Sequence, residues 1–339
     1  ALLPPLRSHL RSLADETKSY GEAATLPALD AAACRALRAD GVPADRVLAV
    51  SGALDGVERV LLAWLRPGDR VAVEDPGFPR VFDLLAALGL VAVPVAIDEH
   101  GMRPDAFAAA VAKGVAACVV TPRAQNPTGA AFDSARVRAL RAILRAHPDV
   151  LIVEDDHAGP VAGEPAHTLV SARRTRWAVV RSVAKSLGPD LRVALLTGDR
   201  TTLERVEGRQ RLGPGWVSHL LQHLVVDLWA DSDVAAKLAR ATEVYRGRRE
   251  AVVDALAARG IAAVAPSGLN VWVPVPDEVT VVGALLDAGY AVASGARFRI
   301  LSAPAVRITV ASLPERRAPA LARAVAAACE SFALLTATA

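Results

Sequence analysis

The first two thirds of the chain alternate short apolar runs with stretches rich in Ala, Leu and Arg. The apolar runs predict seven strands, at Val47–Ser51, Arg70–Glu74, Val91–Val95, Ala117–Thr121, Val150–Glu154, Trp177–Ser182 and Val193–Gly198. Because most runs are continuous and do not alternate with polar residues, we expect both faces of the strands to be buried, as in a mainly parallel sheet. The stretches between them predict helices such as Gly56–Leu65, Arg80–Leu88 and Ser134–Ala146. This order predicts an α/β core with crossover connections.

Helical stretches dominate after about residue 200. The predicted elements are a helix over Thr202–Arg211, a long helical stretch from Val217 to about Arg259 with a bend near Asp231, and then the segments Gly268–Val275 (strand), Val279–Ala288 (helix), Val306–Val310 (strand) and Pro314 to about Phe332 (helix). The length of 339 residues exceeds that of one compact domain. We predict a large domain over residues 30–225, and a smaller α+β domain formed by residues 1–29 and 226–339.

Composition and charge restrict the function. The chain is 53% hydrophobic and 22% charged, and its formal net charge is only +3, with no run of Lys or Arg. We therefore do not expect this chain alone to bind nucleic acid. No apolar stretch predicts a membrane span or signal segment. The three cysteines are far apart and outside any metal-ligand pattern, so we expect no metal and a reducing, cytoplasmic environment.

Lys185 follows the predicted strand Trp177–Ser182, in the sequence Ser-Val-Ala-Lys-Ser. Open α/β sheets bind ligands at the carboxyl ends of their strands. We expect a partly desolvated amine there, close to Arg192, and such an amine can act as a nucleophile towards an aldehyde. A lysine in a loop is otherwise a surface residue, so its interpretation depends on its neighbours.

Carboxylates end the predicted strand Val150–Glu154, and Asp155 follows directly. A buried carboxylate is destabilising unless it meets a cation. A pyridinium nitrogen is such a cation, and the pairing keeps the ring protonated as an electron sink. Helix capping and metal ligation are the alternatives, although His157 and His167 do not have the spacing of metal ligands.

Three further turns follow predicted strands. The Asn126-Pro127-Thr128-Gly129 sequence is a turn signal that could also aim the Asn126 amide at a ligand oxygen. The Ser51-Gly52-Ala53-Leu54 sequence precedes a helix, whose free N–H groups and dipole suit a phosphate, although packing alone also selects glycine there. Phe78, between Pro76 and Pro79, could stack on an aromatic ring or fill the core.

The order of these motifs resembles that of the fold type I pyridoxal 5′-phosphate (PLP) enzymes, the class I/II aminotransferases, over nearly the whole chain. The sequences YGE, LPAL, SGALDG, EDPGFP, TPRAQNPTG, EDDHAGP and SVAKSLGPDLR are most similar to the aminotransferase-like domain of MocR-subfamily, GntR-type transcriptional regulators. The resemblance implies a PLP-dependent transferase fold, with a large domain containing a mainly parallel seven-stranded sheet and a smaller α+β domain. It also implies PLP as the cofactor.

The resemblance also implies a role for each matching residue. Lys185 is expected to hold PLP as a Schiff base and to move the substrate proton, and Asp155 to pair with the pyridine nitrogen. Asn126 is expected to bond the ring oxygen and Phe78 to stack on the ring. The phosphate is expected to be held by Gly52, Ala53, Leu54, Ser182 and Arg192.

Two implied roles concern the substrate and a partner. Arg307 matches the arginine that binds the substrate α-carboxylate, while its alternative is a surface arginine on an edge strand. Tyr20 matches a tyrosine that reaches the partner subunit's cofactor, which implies a homodimer.

His157 stands where many relatives have a tyrosine near the ring oxygen, and Leu54 stands where many have a polar residue. The family segment that closes over the substrate is expected to precede Ala1.

We predict a PLP-binding domain that acts on an amino acid or amine as the effector or aminotransferase domain of a MocR-like regulator, and three functions are weighed. The first is a working transaminase that acts on an amino acid or amine, either within a regulator or as a free-standing enzyme. The second is an effector domain, in which binding of PLP and an amine changes the DNA affinity of an attached helix-turn-helix domain. The third is another PLP reaction, such as decarboxylation, racemisation or C–S lysis, since the fold does not choose among them.

Overall fold

The structure, a computed structural model, describes residues 22–337, with side chains described as far as residue 330. Eight strands form the larger sheet, in the order β1-β8-β7-β6-β5-β2-β3-β4. Their bounds are Leu48–Val50 (β1), Arg70–Asp75 (β2), Val91–Asp98 (β3), Gly101–Met102 (β4), Ala117–Val120 (β5), Leu151–Asp156 (β6), Trp177–Ser182 (β7) and Ala194–Gly198 (β8).

The sheet confirms the predicted α/β architecture and all seven predicted strands. Five neighbouring strands are parallel, in the order β7-β6-β5-β2-β3. β8 runs antiparallel to β7 and to β1, so β1 again points the same way as β7. The eighth strand, β4, was not predicted, because its two residues only close a short turn against the end of β3. The carboxyl ends of β1, β2, β5, β6 and β7 therefore share one edge.

Seven helices pack with this sheet. They are Pro27–Ala39 (α1), Ala53–Trp64 (α2), Pro79–Ala87 (α3), Pro104–Ala112 (α4), Ser134–Arg145 (α5), Arg200–Arg211 (α6) and His219–Ala230 (α7). The buried side chains of α1, α4, α5 and α7 share one apolar core, and those of α2, α3 and α6 share the core on the other face. Both faces are covered, which explains why the strands are continuous apolar runs. Sequence analysis did not specify α1 or α4.

The predicted long helical stretch is two helices. α7 ends at Ala230, and the next helix is Ser232–Ala257 (α8). Asp231 breaks the stretch because its backbone is extended and its carboxylate accepts hydrogen bonds from the N–H groups of Asp233 and Val234, which caps α8. The bend was therefore predicted at the right residue, but a complete interruption was not.

A second, antiparallel sheet has the order β10-β11-β9. Its strands and its two neighbouring helices are Asn270–Pro274 (β9), Glu278–Asp287 (α9), Ala293–Ser294 (β10), Ala305–Thr309 (β11) and Ala318–Ala337 (α10). These elements, apart from β10, share a separate apolar core with α8. This supports the predicted α+β part of the chain, and the domain boundaries stay a prediction. Within residues 22–337, no helix has both the length and the apolar character of a membrane span.

Candidate functional site

Lys185 stands on a turn directly beyond the carboxyl end of β7. The turn is closed by hydrogen bonds from the N–H groups of Ser186 and Leu187 to the carbonyl oxygen of Val183, at 3.2 and 2.7 Å. Ser182 and Ser186 are buried on either side, whereas the Lys185 side chain is exposed. The sequence analysis expected a partly desolvated amine, and this expectation was wrong for the described residues, because the turn projects Lys185 beyond the strand end. The amine is free to reach a ligand.

Asp155 is a buried carboxylate in β6 that lacks a partner. Its side chain is 4% exposed, and its Oδ1 atom has no hydrogen-bond partner among the described residues. Burial, together with the nearby charge of Asp156, raises the pKa of Asp155 to about 7. Unsatisfied buried carboxylate oxygens are rare, because each loses its hydration without compensation. The site therefore fits a cationic nitrogen, such as the protonated ring of PLP.

The next residue, Asp156, is fully compensated by two arginines. Arg123 donates to both of its oxygens at 3.0 and 2.9 Å, and Arg181 donates to Oδ2 at 2.7 Å. Both arginines also pair with Asp40, which follows α1. The positive charges outweigh burial and lower the pKa of Asp156 to about 2. The pKa values of these two adjacent aspartates are thus shifted in opposite directions, upward for Asp155 and downward for Asp156.

Sequence analysis did not predict this ionic cluster. The available signal was the register of parallel strands, since β6 and β7 place Asp156 opposite Arg181. Arg123 and Asp40 come from distant loops, and no local pattern joins them. The cluster fixes the end of β6 and so fixes the direction in which Asp155 points.

His157 lies beside Lys185. Burial is the main cause that lowers the pKa of His157, to about 4, and the positive charge of Lys185 lowers it further. The imidazole is therefore neutral at pH 7 and can accept or donate one hydrogen bond. His157, which stands where many relatives have a tyrosine, thus places a neutral imidazole ring next to the candidate nucleophile Lys185.

The turn that carries Asn126 is held from beneath by Gln125. The Gln125 side chain donates to Glu74 at 3.2 Å and to the carbonyl oxygen of Pro76 at 2.9 Å, and it accepts from the Thr128 hydroxyl at 2.7 Å. Gly129 has φ of 75°, and a Cβ there would lie 2.4 Å from the carbonyl oxygen of Ser267. Only glycine fits this close approach. The turn is therefore a rigid platform that joins the two sheets.

Asn126 and Arg307 meet although they are far apart in sequence. The Arg307 Nη1 atom donates to the Asn126 Oδ1 atom at 2.9 Å. The Arg307 Nε atom is buried and has no partner in the part of the chain that the structure describes. Burial, and then the charge of Arg297, lower the pKa of Arg307. An anion is the natural partner of the remaining N–H groups.

The surface alternative for Arg307 is wrong. β11 is the central strand of the second sheet, not an edge strand, and Arg307 is partly buried there. Its guanidinium carbon lies 4.8 Å from the centroid of the Phe298 ring, within the range of cation–π contacts. The side chain is therefore held in place before any ligand arrives.

The first turn of α2 lies against Arg192. Gly52 caps the helix with φ of 100° and without a side-chain hydrogen bond, so the N–H groups of Ala53 and Leu54 are unpaired within the helix. Arg192 has φ of 50° and its Nη2 atom donates to the carbonyl oxygen of Ser51 at 3.3 Å. A Cβ on Gly52 would lie only 2.6 Å from that Nη2 atom. Glycine thus lets a guanidinium cover a helix N-terminus, an arrangement suited to a phosphate.

Phe78 lies next to Asp155. It precedes α3, is partly buried, and lines one small cavity together with Asp155 and Glu74. It also packs against the core beneath α2 and α3. This packing supports the core alternative in part, and stacking on an aromatic ring stays a prediction. Burial raises the pKa of Glu74 to about 7.

The structure thus places the predicted residues at or beside the shared edge of the larger sheet. They form small groups whose members are in contact or are neighbours. These are Asn126 with Arg307, Arg192 with Ser51 and Gly52, Asp155 with Phe78, and Lys185 with Ser182 and His157. Tyr20 lies outside the described residues, so its predicted role is untested.

Comparison with known proteins defines the family. The model of the aminotransferase class I and II family matches residues 6–325. The chain is 37% identical, over 94% of its length and 75% of the relative's, to the vitamin B6 salvage pathway transcriptional repressor PtsJ of Salmonella typhimurium. It is 28% identical to the pyridoxine biosynthesis regulator PdxR of Corynebacterium glutamicum, over 66% of this chain and 48% of PdxR. It superposes on a Pyrococcus horikoshii kynurenine aminotransferase with a TM-score of 0.86, covering 96% and 87% of the two chains at 20% identity.

The chain belongs to the class I and II aminotransferase family, and its fold is that of the fold type I PLP enzymes. PLP is the cofactor of this family, and the described site fits it through the unpaired oxygen of Asp155. The expected resemblance to MocR-type regulators is also confirmed.

Proposed function

We propose that this chain is the PLP-binding effector domain of a MocR-like regulator, and that it recognises an amino acid or amine at the cofactor. The observation that carries the proposal is the buried, unpaired Oδ1 atom of Asp155 at the sheet edge where Lys185 stands. The names of PtsJ and PdxR, which are regulators of vitamin B6 salvage and pyridoxine biosynthesis, support the regulatory part.

Each end of the cofactor has residues to hold it. Asp155 would pair with the ring nitrogen, and Asn126, with His157 nearby, would bond the ring oxygen. Phe78 would lie against the ring. The phosphate would bind the N–H groups of Ala53 and Leu54 together with Ser182 and Arg192, since a helix N-terminus and a guanidinium both favour an anion. Bound PLP supplies the electron sink of the chemistry.

The protein's own groups would then move the proton. The exposed Lys185 amine would hold the cofactor covalently through its aldehyde group, and as a free amine it would take a proton from the substrate Cα atom. Arg307 would bind the substrate α-carboxylate through the N–H groups that Asn126 does not use. The low pKa of His157 keeps its ring neutral, so it does not add a second positive charge beside Lys185.

Transaminase activity is the second candidate. The observation that favours it is the Arg307–Asn126 pair, which leaves Arg307 free to orient an α-amino acid and not only an amine. We test it by adding a panel of amino acids to the PLP-loaded protein and measuring absorbance and released keto acid. Keto acid with conversion of the cofactor to pyridoxamine 5′-phosphate establishes a transaminase. Binding that changes the absorbance without keto acid supports an effector domain alone.

Fold type I aminotransferases are generally dimeric, and a homodimer belongs to the proposal. Tyr20 would then reach the cofactor phosphate of the partner subunit. Tyr20→Phe should leave the fold unchanged but weaken PLP binding. Unchanged affinity for PLP in a dimeric variant would remove Tyr20 from the site.

A further inference from the structure

Asp75 is a buried carboxylate with an unusual number of donors. It ends β2, is 4% exposed, and accepts four hydrogen bonds from one short loop that precedes β11. The backbone N–H groups of Ile300, Leu301 and Ser302 donate at 2.9, 2.7 and 3.0 Å, and the Ser302 hydroxyl donates at 3.0 Å. Each carboxylate oxygen accepts two of these bonds. Charge-assisted bonds of this kind are roughly twice as strong as neutral ones.

The loop leads directly to Arg307. Phe298, two residues before Ile300, carries the ring that lies 4.8 Å from the Arg307 guanidinium. Glu278 holds the loop on both sides of the residues that bind Asp75, because its carboxylate accepts from Arg299 at 2.9 Å and from the N–H group of Ala305 at 3.1 Å. The segment that precedes Arg307 is therefore held by two buried carboxylates, Asp75 at its middle and Glu278 at residues 299 and 305.

The other side of Asp75 leads to the cofactor residues. Asp75 is followed by Pro76, Gly77 and Phe78, and the Gly77 N–H group donates to the carbonyl oxygen of Phe298 at 2.7 Å. A Cβ on Gly77 would lie 2.3 Å from the carbonyl oxygen of Glu74, so the turn is compact. Asp75 thus links the loop that carries Phe78 in the first sheet to the loop that precedes Arg307 in the second.

We infer that Asp75 is a positioning residue for ligand selection: by holding residues 298–302 against the Phe78 loop, it fixes the Arg307 guanidinium over the cofactor site. This inference rests on the proposed function, because it needs PLP at Asp155 and a ligand carboxylate at Arg307. Its consequence is that the selected ligands carry an α-carboxylate. The carboxylate clamp is assembled before binding, so less of the binding energy is spent on ordering it.

The test compares each amino acid with the amine that lacks its carboxylate, for example L-phenylalanine with phenethylamine. Dissociation constants for the PLP-loaded protein come from absorbance titration. Asp75→Asn keeps the size of the side chain but replaces one accepting oxygen by an NH2 group, so at least one backbone N–H group of the loop loses its acceptor. We expect this substitution to weaken the binding of amino acids about tenfold, while the affinity for the matched amines should change less than about twofold. Ser302→Ala, which removes one bond, should have a smaller effect of the same kind.

Asp199→Asn is the matched control. Asp199 accepts three hydrogen bonds, from the N–H groups of Trp177 and Thr202 and from the Thr202 hydroxyl, at the opposite edge of the same sheet. It should keep the preference for amino acids. Arg307→Ala should abolish the preference and provides the reference for complete loss. Hydrogen exchange of the cofactor-free protein should show loss of protection at residues 300–302 in Asp75→Asn only.

The outcomes separate the inference from the proposed function. If the original protein prefers amino acids and Asp75→Asn either keeps that preference or weakens both ligands equally, Asp75 only stabilises its loop and the inference is wrong. If the original protein shows no PLP absorbance, or no preference that Arg307→Ala removes, the proposed site itself is wrong and the inference is overturned together with it.

Discussion

At the scale of single residues, neighbouring carboxylates have opposite roles because their partners differ. Asp156 is surrounded by two guanidinium groups, while Asp155, one position earlier on the opposite face of β6, has none. As a result, Asp156 is charged and holds the end of the strand, while Asp155 is a buried acid without a cationic partner among the described residues. This difference is not visible in the sequence, where the two aspartates are adjacent and identical.

The raised pKa of Asp155 predicts a pH dependence of stability. Between about pH 4 and its folded pKa of about 7, the folded state binds more protons at Asp155 than the unfolded state does, so its contribution to stability falls as pH rises. Asp155→Asn removes this titration. Relative to the original protein, the cofactor-free variant should gain on the order of 2 kcal/mol of stability between pH 5 and pH 8.

The measurement is urea unfolding of both proteins without PLP at pH 5 and pH 8. The same substitution should strongly weaken PLP binding, because the pyridinium loses its counter-charge. A parallel pH dependence in both proteins, or PLP binding unaffected by Asp155→Asn, would contradict the role of Asp155.

At the scale of elements, the first turn of α2 depends on Gly52. Two features require glycine there: φ of 100°, and the Arg192 Nη2 atom 2.6 Å from where a Cβ would stand. Gly52→Ala should displace Arg192 and weaken PLP at least about tenfold, but should affect pyridoxal, which has no phosphate, much less. The measurement is the dissociation constant of each ligand.

Gly68→Ala provides the control for backbone strain. Gly68 has φ of 93° and nothing within 4 Å of its missing Cβ. Both substitutions should cost about 1 kcal/mol of stability, because alanine is strained at positive φ. Only Gly52→Ala should weaken the binding of PLP more than the binding of pyridoxal. If both variants bind PLP equally well, the Arg192–Gly52 arrangement does not hold the phosphate.

Elements built from local signals could be predicted from the sequence. The buried strands were predictable because both of their faces are apolar, and the places of Lys185 and Asp155 because they stand at or just beyond the carboxyl ends of such strands. Contacts that depend on long-range packing could not be predicted. The bonds from Asp75 to residues 300–302 join positions more than 200 residues apart, and the Asp40 pairs with Arg123 and Arg181 join two separate loops and the strand β7. No periodicity or motif encodes such pairings.

At the scale of the whole molecule, the site lies where two sheets meet. The first sheet carries Lys185, Asp155 and the residues proposed to hold the phosphate, while the second carries Arg307. A ligand that contacts both Lys185-bound cofactor and Arg307 binds across the boundary between the two cores. Such a ligand can bias the relative arrangement of the two parts only if it binds one arrangement more tightly than another. This is how an aminotransferase fold could serve a regulator.

The proposed site requires that Lys185 carries the cofactor, and this can be tested sharply because the chain contains only four lysines: Lys18, Lys113, Lys185 and Lys237. PLP-loaded protein is reduced with borohydride, which makes the bond to the lysine permanent, and is then digested and mapped by mass spectrometry. We predict the phosphopyridoxyl group on Lys185 alone. We also predict no adduct in a folded Lys185→Ala variant, whose stability should change by less than about 0.5 kcal/mol because the side chain is exposed. A stoichiometric adduct on another lysine, or none in the original protein, would contradict it.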